Sequence, residues 1–191
     1  GCIFFIHVSV FFFLVPLALL ALSYSIPLIG RPNKKIRLLE FSLFKTPVLA
    51  FVWGLSTTII PLIEQNISLN SSFVLLQVIS RCLFIFALCI PFEMRDLEID
   101  KKNNIRTFPV IYGIKNTKIF GTVILILEIL THHLMPFVSS AVIFSLDLSS
   151  LVALFWIIFQ SKTREPYYYK FLIDGTMLVR FLFLLIAIHK T

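Results

Sequence analysis

Residues 73–118 read FVLLQVISRCLFIFALCIPFEMRDLEIDKKNNIRTFPVIYGIKNTK. The stretch from Phe73 to Phe92 is almost wholly apolar, with Arg81 its one charge. A run of that kind is what a helix needs to cross a bilayer, which takes ~20 residues. Directly behind it come Glu93, Arg95, Asp96, Glu98, Asp100, Lys101, Lys102 and Arg106. The pairing of the two halves decides the class. A membrane-crossing segment delivers a dense charged segment to one surface of the bilayer.

The rest of the chain repeats the first half of that pattern. Of 191 residues, 58% are apolar and only 14% charged, and the mean hydropathy is +0.94. A soluble domain is typically ~45–50% apolar and ~25% charged. The surplus has no polar coat to hide behind, which excludes an ordinary soluble enzyme, a disordered tail and a nucleic-acid-binding module. Five further apolar segments are readable: Cys2–Ser25, Pro47–Ile63, Ile119–Leu134, Val142–Phe159 and Phe171–Ile188. With no water at depth, backbone groups must pair within each segment, so these runs predict helices. Runs such as Phe11-Phe12-Phe13-Leu14-Val15 lack the alternation of a barrel strand. The fold class is therefore an all-α polytopic membrane bundle of about six transmembrane helices, read as a single domain over 1–191. The chain opens on Gly1 inside an apolar run, without the basic n-region of a signal peptide. It is expected to be an N-terminally truncated fragment.

The charges give an orientation. Arg31, Lys34, Lys35, Arg37 and Lys45 follow the first segment; Arg95, Lys101, Lys102, Arg106, Lys115 and Lys118 follow the third; Lys162, Arg164 and Lys170 follow the fifth. The intervening connections, 64–72 and 132–140, hold no Lys or Arg. Fourteen of the 17 basic residues thus fall on one side of six alternating spans. The net charge of +7 reads as positive-inside bias, with those connections cytoplasmic, and not as a nucleic-acid surface. Cys2, Cys82 and Cys89 sit in apolar runs and read as small packers. Asn66-Ile67-Ser68 and Asn70-Ser71-Ser72 match a glycosylation sequon but read as turn chemistry.

Asp96 and Asp100 are four apart, so a third helix prolonged past the membrane puts both carboxylates on one face. At ~6 Å and an effective dielectric of ~20, two such charges repel by roughly 3 kcal/mol. A hard divalent cation offsets that, and Mg²⁺ commonly binds through one or two carboxylates plus substrate phosphates. Arg95, Lys101, Lys102 and Arg106 offer a second way, by neutralising the acids; they equally suit phosphate oxygens. On spacing alone, a solvated loop of cancelling charges stays open.

The stretch resembles the second aspartate-rich motif of the UbiA family of intramembrane prenyltransferases, in which D-x-E-x-D is followed by a basic stretch, R-T-x-P-V and a glycine. The matching residues are Asp96, Glu98, Asp100, Arg106, Thr107, Pro109, Val110 and Gly113. The forms PFEMRDLEID and YYYKFLIDG resemble a bacterial subgroup. The resemblance implies a bundle of nine spans in the intact family, of which these six are the last. It implies a cavity open to the cytoplasm, in a bacterial inner membrane, where Asp96 and Asp100 hold Mg²⁺. Arg95, Lys101, Lys102, Arg106, Lys34, Lys35 and Tyr24 would then face a prenyl diphosphate at the cavity mouth. The isoprenyl group would pass to an aromatic or quinone-type lipophilic acceptor. Two departures stand beside it. No second D-x-x-x-D occurs in the chain, and Tyr24 stands further from the following basic residues than is usual in the family. A non-catalytic relative with half of the metal site is the alternative. A transporter, suggested only by intramembrane Arg81 and Glu128, would be favoured by inverted repeats, and none is visible in the sequence.

Five expectations concern other residues. Arg81 is expected to pair with Glu128. Asp174 is either a helix-start residue or a cavity-lining carboxylate, with Arg180 within reach. His132 and His133 are expected near the outer surface without acidic neighbours, and Asp147 at the outer end of the fifth span. Tyr167, Tyr168 and Tyr169 read as an aromatic belt.

Overall fold

The computed structural model describes residues 10, 12, 14–19, 29–31, 34–36, 42–160, 169 and 173–190, with the backbone alone at 29–31, 34–36, 42 and 190. Five helices follow one another: α1 (Lys45–Glu64), α2 (Ser72–Lys102), α3 (Phe108–His133), α4 (Ser140–Ile158) and α5 (Gly175–Lys190). Before them, β1 (Ile29–Arg31) and β2 (Lys34–Ile36) pair antiparallel, Ile29 opposite Ile36. Of the first apolar segment, only residue 10, residue 12 and residues 14–19 are described, and they are helical.

Helices α1 to α4 are long and apolar enough to cross a membrane, and α5 is a shorter apolar helix. The chain is an integral membrane protein, and its surface shows why. Phe120, Val123, Leu127, Leu130, Phe144 and Leu151 are all exposed. Such an apolar exterior is stable only against lipid. The interior is a small core of Phe84, Ala87, Leu88 and Ile90 from α2, Ile124 and Leu125 from α3, and Ala153 and Ile157 from α4, joined by Tyr169 and Ile173. Helix α2 is central: it packs on α1, α3 and α4, while α5 packs on α4.

The helix ends explain how the charged segment is held. Helix α2 starts at Ser71, whose hydroxyl accepts from the Val74 N–H at 3.2 Å. The second sequon thus does serve as turn chemistry. Helix α2 has 31 residues, about 46 Å at 1.5 Å per residue, against ~30 Å of hydrocarbon. It therefore carries Asp96 and Asp100 beyond or to the edge of the apolar layer on a rigid rod. It stops at Asn103-Asn104. Asn104 has φ 54°, its N–H donates to the Lys101 carbonyl, and the Ile105 N–H donates to the Asp100 carbonyl at 2.8 Å. This is a Schellman closure, with asparagine taking the left-handed position. Asn66 ends α1 in the same way, its φ at 56° and the Ile67 N–H on the Leu62 carbonyl.

Helix α3 begins at Phe108, earlier than the apolar run at Ile119 suggests, and is broken at Gly113, whose φ of 77° and ψ of 163° belong to glycine. The glycine of the motif is thus a bend that joins a short helical turn to the span. Gly54 marks a close approach of α1 and α2: a Cβ built there would lie 3.1 Å from the Cys82 backbone.

Candidate functional site

One face of α2 is laid out by its spacing. Ile85, Cys89, Phe92, Glu93, Asp96 and Asp100 recur at three or four residues, and all six line one cavity of about 570 Å³. The opposite wall is α1, which contributes Lys45, Leu49 and Trp53 at a spacing of four, with Thr46 beside them. Thr107 ahead of α3, and Asp174 and Met177 at the start of α5, complete the lining with Arg95. From Asp100 to Ile85 the cavity follows about 22 Å of α2. Its polar groups gather where α1 begins and α2 ends, whereas Leu49, Trp53, Ile85 and Met177 make the rest greasy.

The charged end is pre-arranged. The Arg95 guanidinium donates to both Asp96 oxygens, Nε to Oδ1 at 2.7 Å and Nη2 to Oδ2 at 3.0 Å. It also lies over the Phe92 and Tyr169 rings, 5.3 Å and 5.1 Å from their centroids. Asp100 is held twice: its carbonyl takes the Ile105 N–H, and its Oδ2 accepts from the Thr107 hydroxyl at 3.2 Å. That double hold gives the spacing from Asp100 to Thr107 a mechanical sense, because the loop folds back onto the carboxylate. Burial pushes the Asp174 carboxyl above the usual range, and the nearby Arg95 charge works against that.

Glu93 is the residue that the expected site omits. It is 8% exposed, and its Oε1 accepts a short hydrogen bond from the Thr46 hydroxyl. Its Oε2 is buried and meets no well-aligned hydrogen-bond donor among the described residues, while the Phe108 backbone N–H and the Lys45 charge also act on the carboxylate. An unpaired buried polar group costs ~1–3 kcal/mol, and a charged one more. The signal was present in the sequence, since Glu93 lies three before Asp96 and seven before Asp100 on the same helix face. Lys45 and Thr46 were harder to find, being brought in by α1, whereas Thr107 stood in the motif itself.

Of the expected site residues, Arg95, Asp96, Asp100 and Asp174 all line this cavity. Asp174 does both things considered for it, because it also precedes α5 and takes the Met177 N–H on its carbonyl at 3.2 Å. Lys101, Lys102 and Arg106 are exposed at the end of α2 and outside the lining, with Lys101 paired to Glu98 at 3.7 Å. Lys34 and Lys35 stand in β2 with side chains outside the described residues, and Tyr24 lies outside them altogether.

A second polar cluster corrects three expectations. Glu128 is fully buried and pairs with Arg180 at 2.8 Å and with His132 at 2.7 Å, so Arg180, not Arg81, carries its ion pair. Arg180 rather than Arg81 wins because α5 brings it beside α2 and α3, where it also lies 4.1 Å over the Phe84 ring and turns away from Asp174. His132 is buried and bridges two acids, with Asp147 Oδ1 2.8 Å from its Nδ1; the exposed His133 lies 3.1 Å from Asp147 Oδ2. Adjacent helices α3 and α4 meet there, which a linear reading does not reveal. Tyr169 is likewise no belt residue: it is 1% exposed, packs in the core and receives a hydrogen bond from Gln160. Tyr167 and Tyr168 lie outside the described residues.

The model of the UbiA prenyltransferase family matches residues 1–172. The chain belongs to that family. No curated protein and no solved structure matches it. Membership in the UbiA family implies membrane prenyl transfer in general, with a prenyl diphosphate and a lipophilic acceptor as the broad substrate classes. The UbiA match includes the charged end of α2 and the whole α1–α2 wall of the cavity.

Proposed function

We propose that the cavity is the diphosphate-binding side of a Mg²⁺-dependent prenyl-transfer site, moving an isoprenyl group from a prenyl diphosphate to an aromatic or quinone-type acceptor. The observation that carries this is the shared lining: Asp96, Asp100 and Arg95 stand at one end of a cavity whose remainder is apolar. Such a shape suits a ligand with an anionic head and a hydrocarbon tail.

The donor set fits the ion. Asp96 and Asp100 are hard oxygen donors, and among the described residues no three His, Cys, Asp or Glu side chains converge to hold a metal by themselves. Mg²⁺ does not require such a cage, since it keeps waters and takes substrate phosphates beside one or two carboxylates. Bound by this pair, it would neutralise charge on the leaving diphosphate. Arg95, whose Nε and Nη2 hold Asp96, keeps Nη1 for a phosphate oxygen, and its stacking on Phe92 and Tyr169 fixes where the guanidinium lies. Lys45 adds a positive charge from the opposite wall. Leu49, Trp53, Ile85 and Met177 hold the isoprenyl chain and keep water from the carbon that loses the diphosphate. The positive-inside bias supports basic connections on the cytoplasmic side of a bacterial membrane, and the cavity mouth would then open where soluble diphosphates occur.

The test is prenyl transfer by membranes containing the protein, supplied with labelled prenyl diphosphate and Mg²⁺. Asp96→Asn and Asp100→Asn are each expected to abolish incorporation while the protein stays folded in the membrane. Incorporation unchanged in both variants overturns the assigned role and favours the non-catalytic alternative.

A further inference from the structure

We propose that Tyr169, fixed by Gln160, is the positioning residue that aims Arg95 at the diphosphate of the donor. This deepens the prenyl-transfer reading of the same cavity and rests on it.

Helix α2 alone does not place Arg95. The cavity face of that helix runs through Ile85, Cys89, Phe92, Asp96 and Asp100. Arg95 precedes Asp96 by one residue, which turns it about 100° away around the helix. Residues one apart do not face each other on a helix. The Arg95 side chain is also 44% exposed, and a long exposed side chain samples many rotamers unless something stops it. Yet it bends back over Asp96 and reaches both carboxylate oxygens. Phe92 supports that pose from the same helix. Tyr169 supports it from outside: its ring packs on Phe92, 5.7 Å between centroids, and lies against the guanidinium. A ring on the face of a guanidinium leaves the edge, where the N–H groups lie, to donate to oxygens.

Tyr169 is itself tied down. It is buried, and Gln160, just past the end of α4 and buried too, donates from Nε2 to the phenol oxygen. Lys118 of α3 clamps that end of α4, its Nζ donating to the Ile158 and Gln160 carbonyls at 2.7 Å and 2.6 Å. The Tyr169 carbonyl takes the Asp174 N–H at 3.2 Å, which joins the ring to the start of α5 and to a carboxylate of the cavity lining. Contacts from α3, α4 and the start of α5 thus deliver one ring to one guanidinium. A tyrosine that only filled the core would need no such address. The two roles differ in whether the effect of Tyr169 passes through Arg95.

The full chain is placed in phosphatidylcholine nanodiscs with Mg²⁺. Binding of labelled farnesyl diphosphate and of labelled inorganic diphosphate is measured against empty discs. Tyr169→Leu is expected to weaken both by roughly fivefold or more, the scale of a partly desolvated cation–π contact. Tyr169→Phe keeps the ring and should lose only about twofold to threefold, the scale of one hydrogen bond. Gln160→Leu breaks the same bond and should match it, and the two together should do no more than either. In an Arg95→Met background each of these changes should shift binding by less than about twofold, because the residue they act through is gone. Equal losses in both backgrounds mark a core filler and overturn the proposal, as does undiminished binding by Tyr169→Leu. If Tyr169→Leu fails to fold, Tyr169→Phe and Gln160→Leu in the two backgrounds decide in the same way. A parent protein that binds inorganic diphosphate but no farnesyl diphosphate refutes the prenyl-transfer reading, and the positioning of Arg95 is still read from the first ligand. A parent that binds neither overturns both.

Discussion

Glu93 and Glu128 are both glutamates on membrane-crossing helices, 8% and 0% exposed. Their surroundings differ in kind. Glu128 receives Arg180, His132, Ser80 and Ser150, so both of its oxygens are engaged by donors from four helices. Among the described residues, Glu93 has the Thr46 hydroxyl on Oε1, with the Phe108 N–H and the Lys45 charge acting on the carboxylate, and it lines a cavity. The first arrangement joins helices together: α2, α3, α4 and α5 all contribute to it. The second has no ion pair of that kind among the described residues and borders a cavity. Within one apolar bundle, one buried acid ties four helices together and the other stands at a cavity wall.

The largest effect that sharpens this contrast lies in the Glu128 cluster. Arg180→Met leaves a buried carboxylate without its main counter-charge and is expected to destabilise the protein by about 3–5 kcal/mol. Adding Glu128→Gln should recover much of that loss. Denaturant unfolding in mild detergent measures both, and a neutral Arg180→Met would break the distinction. The mirror experiment is Asp100→Asn at the cavity mouth, which should lower prenyl transfer by about a hundredfold or more while stability changes by only ~0.5 kcal/mol.

Gly54→Ala comes next. Its Cβ would press on the Cys82 backbone, and α1 and α2 are the two walls of the cavity. Overpacking should cost about 1–3 kcal/mol in an unfolding titration and loosen the cavity as well. Thr107→Val should have the smallest effect. It frees Asp100 from one hydrogen bond, for ~0.5–1.5 kcal/mol, and a several-fold loss of transfer measured beside Asp100→Asn would mark Thr107 as positioning that carboxylate.

The bundle was legible because a bilayer makes the pattern blunt. Apolar runs near twenty residues and alternating basic connections are one-dimensional signals, and α1, α2 and α4 start within a few residues of where those signals put them, while α3 begins eleven residues earlier. The helical ramp carrying Asp96 and Asp100 was legible too, from their spacing of four. What the sequence hid was the partner of each buried charge. Arg81 and Glu128 were the obvious pair by composition, but helix rotation gave Glu128 to Arg180 and His132. Glu93 was hidden differently. As one acid among four in a charged stretch, it looked solvated; only the approach of α1, bringing Thr46, shows that it is enclosed. Asn103-Asn104 could have been recognised as a helix stop, since asparagine tolerates the left-handed position, and would have fixed the end of α2 in advance.

The most direct measurement is Mn²⁺ binding, followed by electron paramagnetic resonance, to the protein in lipid vesicles with and without a prenyl diphosphate. Manganese is the probe because it shares magnesium's preference for oxygen donors. The account predicts that the diphosphate tightens Mn²⁺ binding and that Asp96→Asn/Asp100→Asn removes this tightening in a protein that still unfolds at the same denaturant concentration. Equal Mn²⁺ binding by the parent and the double variant, in the presence of the diphosphate, would contradict it.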